Sequence, residues 1–274
     1  MVLSNHVARV IVSIFAIPII LAAGYLGKLF FFFLILAIAL TSFYEFASLT
    51  KAKGAKPNIW LGYFGILFLV SANYLKIAEI LAFFILFLVV LSLAELFRNK
   101  GSAIINISAT LLPTFYIGLF AGSVMGIREF YPNIGDLYLR GGYLIISIFA
   151  SIWICDSAAY YGGSKFGKHK LFPRVSPNKS WEGAIFGFVF AVVTMILAKI
   201  IVLDFLEWTT VISFGIIIGT IGQLGDLIES LFKRDAEVKD SSALIPGHGG
   251  IFDRFDSLLL IAPVIFLYLK FFDR

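Results

Sequence analysis

"LFFFFLILAIALTSFYEFASL", Leu29–Leu49, decides the fold. It is an apolar run of the length, roughly 20 residues, that a hydrocarbon core about 30 Å thick requires of a helix. Runs of the same kind recur along the chain at about 8–27, 29–49, 58–75, 78–97, 104–127, 142–161, 182–203, 209–231 and 256–272. This pattern predicts an all-α integral membrane protein, a polytopic bundle of about nine transmembrane helices. The first run has a basic start at Arg9 but no clear cleavage site, and a second run follows at once, so it is counted as a span rather than a signal peptide.

Composition agrees. The 274 residues are 60% hydrophobic and only 14% charged, with a mean hydropathy of +0.96. Soluble domains carry about 25% charged residues. A single cysteine, Cys155, excludes an internal disulfide. The net charge of +5 calls for no nucleic-acid partner, because loops facing an anionic cytoplasmic leaflet are expected to be basic. Phe30 to Phe33 read as lipid-facing or helix-facing packing.

Orientation follows from Lys and Arg. With the N-terminus cytoplasmic, fifteen of the 22 basic residues fall on inside segments, among them Lys51, Lys53, Lys56, Lys179, Lys233 and Arg254. The bias predicts an odd number of spans and a multi-pass protein of the cell inner (cytoplasmic) membrane. Five spans over 1–128 form an N-terminal packing region. Four over 142–274 form a catalytic bundle with cytoplasmic loops 162–181 and 232–255. Glycines at 118, 122 and 126, at 183 and 187, and at 215, 219 and 222 let the last five helices approach closely.

Acidic residues carry the chemistry. Asp156 lies in "IWICDSAAYYGG", Asp226 in "GQLGDLIES" with Glu229 one turn on, and Asp253 and Asp256 open the last span. A carboxylate at membrane depth is costly and is paired or functional. All five lie toward one bilayer face, beside Lys233, Arg234, Lys239 and Arg254. Acids and bases together suit a metal-bridged polyphosphate: aspartates hold a hard divalent ion, and Lys and Arg neutralise the remaining phosphate charge. The turn "PGHGG", Pro246–Gly250, offers Gly249 and Gly250 as backbone N–H donors to an anion, with His248 as a further donor or as a structural turn residue. The loop "SPNKSWEG" offers Ser176 or Asn178 as a helix cap, with Lys179 and Glu182 where span seven enters the membrane. It does not match a G-x-x-x-x-G-K-[ST] nucleotide loop.

Ser230-Leu-Phe-Lys-Arg, Lys239-Asp240 and Pro246-Gly-His-Gly-Gly-Ile-Phe-Asp-Arg-Phe-Asp256 closely resemble the motif of the phosphatidate cytidylyltransferase (CDP-diacylglycerol synthase) family. Asp156-Ser-Ala-Ala-Tyr160, Ser176-Pro-Asn-Lys-Ser-Trp-Glu-Gly183 and Gly222-Gln-Leu-Gly-Asp226 extend the resemblance over roughly 150–257. Asn178 and Ser180 stand where the family often has Lys and Thr, and both keep hydrogen-bonding capacity. The resemblance implies that CTP and phosphatidic acid give CDP-diacylglycerol and pyrophosphate. It also implies Mg²⁺ dependence, K⁺ as a second ion in some members, and a homodimer within the lipid bilayer. On that reading Asp226 and Asp253 are the leading metal ligands, with Asp256 and Asp156 as further ligands or partners of Lys and Arg. Lys233, Arg234, Lys239 and Arg254 hold phosphates. Lys179, Ser176 and Asn178 contact CTP, and Asp240 orients Lys239 or His248. Two alternatives share some of these features: a CTP-dependent polyprenol kinase of the dolichol type, and an ion-coupled secondary transporter, whose acids belong near the bilayer midplane.

Overall fold

The computed structural model describes residues 5–242, 244 and 249–272, with residues 5–11 as helical backbone alone. Each apolar run read from the sequence is helical. The first five are α1 (Asn5–Leu26), α2 (Lys28–Ala52), α3 (Ile59–Tyr74), α4 (Ile80–Arg98) and α5 (Ala103–Arg128). Then follow α6 (Gly135–Phe166), the strands β1 (Lys170–Phe172) and β2 (Ser176–Ser180), and α7 (Trp181–Ile201). The next rod joins α8 (Trp208–Ile217) through a π turn at Ile218–Gly222 to α9 (Gln223–Asp235), and α10 (Phe252–Phe272) closes the bundle. Among the described residues seven helices, with Trp208–Asp235 counted as one, are long and apolar enough to cross a membrane; Val12–Leu26 and Ile59–Tyr74 are shorter apolar helices.

Local chemistry sets the helix ends. Asn58 caps α3 by accepting from Leu61 N, and Ser180 caps α7 by accepting from Gly183 N at 3.2 Å. The cap of α7 is therefore Ser180, not Ser176 or Asn178. Ser176 lies in β2 opposite Phe172. Much of the loop expected at 162–181 is ordered. α6 begins at Gly135 and runs on to Phe166, and the remainder is an antiparallel hairpin. At the π turn Gln223 Nε2 donates to Gly219 O at 2.6 Å and also reaches Ala184 O on α7.

Glycine contacts fix the packing. A Cβ on Gly183 would lie 2.7 Å from Ala159 O, so α6 and α7 touch backbone to backbone. Gly27 turns the chain between α1 and α2 at φ 65°, a value glycine adopts freely. There the fully buried Arg128 donates to Gly24 O and Tyr25 O, and Tyr138 OH donates to Glu129 at 2.6 Å. This knot joins the α1–α2 corner to the α5–α6 corner at the end of the bundle remote from the charged loops. One hydrophobic core draws on Phe43 of α2, Ile117 of α5, Ile148 of α6, Phe214 of α8 and Ile261 of α10, so both halves of the chain share it.

Candidate active site

The C-terminal ends of α6 and α9, the hairpin and the N-terminus of α10 meet at one end of the bundle. Helical spacing does the rest. Asp226, Glu229 and Lys233 recur on one face of α9, and Asp253 and Asp256 on the first turns of α10. One carboxylate oxygen from each of Asp226, Glu229 and Asp256 lies within 4.8 Å of the others. Glu229 is only 1% exposed. Beyond the Lys233 ammonium, 2.6 Å from Oε2, no donor among the described residues reaches its oxygens.

This grouping differs from the expected pairing of Asp226 with Asp253. Asp253 is engaged elsewhere: it accepts from Lys233 Nζ at 2.9 Å, Gly250 N at 2.8 Å and Ser241 N at 3.2 Å. The residue that meets Asp226 is Asp256, whose Oδ1 accepts from Ser257 N. Glu229, read from the sequence only as a companion of Asp226, completes the trio. Lys179 reaches over from β2 to place Nζ 2.5 Å from Asp226 Oδ2.

A cavity of about 1030 Å³ opens onto these groups. Asp156, Asn178, Lys179, Asp240 and Arg254 line its polar part together with the acids of α9 and α10. The opposite wall is apolar, built from Ala16, Ile17 and Ile20 of α1, Leu34 and Ile38 of α2, and Trp153 of α6.

Several expected residues lie outside the cavity lining. Arg234 donates from Nε to Val175 O and from Nη1 to Val238 O, so its guanidinium ties the hairpin to the end of α9. Glu182 accepts from Lys168 N and from His169 N and Nδ1, which fastens the turn after α6. Lys239 is exposed at the turn after α9. Lys233 does line the cavity, but it lies between two carboxylates and is itself largely covered. Gly250 directs its N–H to Asp253 instead of leaving it free for an anion, and Gly249 adopts φ 79° against the same carboxylate. His248 lies outside the described residues. One residue went unnoticed in the sequence: Glu45 of α2, a buried acid that accepts from the N-terminus of α10. Its signal was its place as the one charged residue in the run Leu29–Leu49.

The helical bundle thus holds a mixed-charge cavity at one end with an apolar wall beside it. The chain belongs to the cytidylyltransferase family, whose sequence model matches residues 7–272. It is 35% identical to the phosphatidate cytidylyltransferase of Haemophilus influenzae, over 96% of this chain and 98% of that protein. It is 31% identical to the protein of that name from Bacillus subtilis, over 97% and 98%. The Staphylococcus haemolyticus protein of that name is 37% identical over 65% of this chain and 64% of its own length.

Proposed function

We propose that this chain transfers the cytidylyl group of CTP to phosphatidic acid, giving CDP-diacylglycerol and pyrophosphate. The observation that carries the reading is the single cavity in which three clustered carboxylates and basic residues share space with an apolar wall from α1 and α2. CTP needs the charged part. Phosphatidic acid needs both, a polar place for its headgroup and an oily one for its tails.

The reaction forms a bond from a lipid phosphate oxygen to the α-phosphorus of CTP and breaks the bond from that phosphorus to the oxygen bridging to the β-phosphate. Pyrophosphate leaves with that electron pair. The second pKa of a phosphomonoester is about 6, so the nucleophile is already largely ionised at neutral pH and no strong base is required. The obstacle is repulsion between anions, and positioning with charge stabilisation is what removes it.

Asp226, Glu229 and Asp256 fit a divalent ion, because hard cations take oxygen ligands and Glu229 offers buried oxygens that no donor but the Lys233 ammonium reaches among the described residues. Mg²⁺ bound there would neutralise phosphate charge and polarise the phosphorus under attack. Lys179, held by Asp226, would be available to a phosphate if an ion were bound by that carboxylate. Arg254 lines the same space and can pair with the lipid phosphate or the leaving group. Lys233 holds Glu229 and Asp253 in place.

The basic-residue bias supports an odd number of spans, a cytoplasmic N-terminus and a site that opens to the cytoplasm in the inner membrane. K⁺ as a second ion and pairing of two copies rest on the family resemblance. The test is purified protein with radiolabelled CTP and phosphatidic acid, with and without Mg²⁺. CDP-diacylglycerol and pyrophosphate in equal amounts, only with Mg²⁺, is the expected result. No CDP-lipid from phosphatidic acid together with transfer of the γ-phosphate of γ-labelled CTP to an added polyprenol, or ion flux without turnover, overturns the reading.

A further inference from the structure

Glu45 is 2% exposed and belongs to α2, in the half of the chain to which the sequence assigned no chemistry. Its carboxylate accepts four hydrogen bonds from a segment about 200 positions away. Oε1 takes Ser242 Oγ at 2.5 Å and Ile251 N at 3.1 Å. Oε2 takes Phe252 N at 2.7 Å and Ser241 Oγ at 3.1 Å. Among the described residues no Lys, Arg or His pairs with it. A buried carboxylate without a cation is stable only where donors satisfy it, and here the first N–H groups of α10 add the favourable end of a helix dipole.

The four contacts define a clasp. Ser241 and Ser242 lie just before the segment that runs to Gly250, while Ile251 and Phe252 lie just after it, and one side chain holds both feet. Asp253 grips the same two feet from the other side, through Ser241 N and Gly250 N. Gly250 lies between the two carboxylates. A Cβ there would come within 2.5 Å of Glu45 Oε2 and would collide with Ser241 Oγ. The clasp fixes the start of α10, and with it the positions from which Arg254 and Asp256 enter the cavity.

We propose that Glu45 is a positioning residue for the transfer reaction. It acts through Ser241, Ser242 and the N-terminus of α10, setting where Asp256 stands relative to Asp226 and Glu229. This rests on the function proposed above. Glu45→Gln keeps the size but replaces one accepting oxygen with a donor, which leaves a backbone N–H of α10 facing an NH₂ group. Glu45→Asp keeps charge and both acceptors on a shorter arm.

Two measurements on the full-length protein in detergent decide the matter. The first is hydrogen exchange of the peptide covering residues 249–255. Glu45→Gln accelerates exchange there at least tenfold, Glu45→Asp by less, and α4 is unchanged in both. The second is steady-state synthesis of CDP-lipid. Glu45→Gln lowers kcat at least tenfold, Glu45→Asp recovers part of that loss, and the folded fraction on size exclusion equals that of the parent. Parent-like exchange at 249–255, parent-like kcat and KM in Glu45→Gln, or an activity loss that only tracks lost folded protein, each overturns the proposal. If the parent protein makes no CDP-lipid, the functional reading falls and with it the catalytic part of this proposal, while the exchange result still decides whether Glu45 clasps the loop.

Discussion

The carboxylate of Asp253 lies 2.9 Å from the Lys233 ammonium, and that ammonium lies 2.6 Å from Glu229, so one cation joins α9 to the first turn of α10. Beside it Asp226 and Asp256 line the cavity.

This separates two aspartates that sit three residues apart. Asp256→Asn removes a proposed ion ligand and leaves the α9–α10 tie intact. It lowers kcat by more than the roughly 10–100-fold that loss of an outer-shell partner costs, with an unchanged melting temperature in detergent. Asp253→Asn removes a tie. It lowers the melting temperature as well as the rate. Differential scanning fluorimetry beside the CDP-lipid assay distinguishes the two.

Lys233→Met leaves Glu229 and Asp253 buried without their shared cation. Breaking a buried ion pair by removing one partner costs about 3–5 kcal/mol. The variant is expected to unfold at clearly lower temperature than Arg234→Met, which loses two hydrogen bonds to carbonyls.

Lys179→Ala frees Asp226 and removes a charge from the nucleotide side of the cavity. The expected effect is a rise of about tenfold in KM for CTP, equivalent to about 1.4 kcal/mol, with KM for phosphatidic acid nearly unchanged. Initial rates over a matrix of both substrates measure it.

Ala16→Trp or Ile20→Trp fills the apolar wall of the cavity. Each raises KM for long-chain phosphatidic acid several-fold, leaves KM for CTP as it was, and impairs a short-chain analogue less. Equal effects on both substrates contradict the assignment of this wall to the lipid tails.

Orientation has its own check. In a Cys155→Ser background, Lys239→Cys and Lys170→Cys are expected to react with an impermeant maleimide only from the cytoplasmic side, and Asn133→Cys only from the other.

The helices were legible because each apolar run is long enough to be read alone, and their ends carry local marks such as Asn58 and Ser180. The pool of site residues was legible too, because carboxylates in an apolar chain are conspicuous. Which of them meet was not. Asp253 and Asp256 share a helical face at the level of spacing, yet Asp253 is drawn to Lys233 and the N–H groups of the preceding loop while Asp256 turns to Asp226. That choice depends on where α9 lies, a tertiary fact. Arg234 looked like a phosphate ligand because basic residues beside acids do, but two carbonyls within reach claimed it. Glu45 was invisible as a partner because its donors are 196 to 207 residues away.

The central claim is that Asp226, Glu229 and Asp256 together hold a divalent ion. Anomalous diffraction from crystals grown with Mn²⁺ and CTP tests it most directly. The account predicts a peak within coordination distance of one oxygen from each of the three carboxylates; a peak held by Asp253 and Asp156 instead, or CTP bound with no peak at the trio, would contradict it.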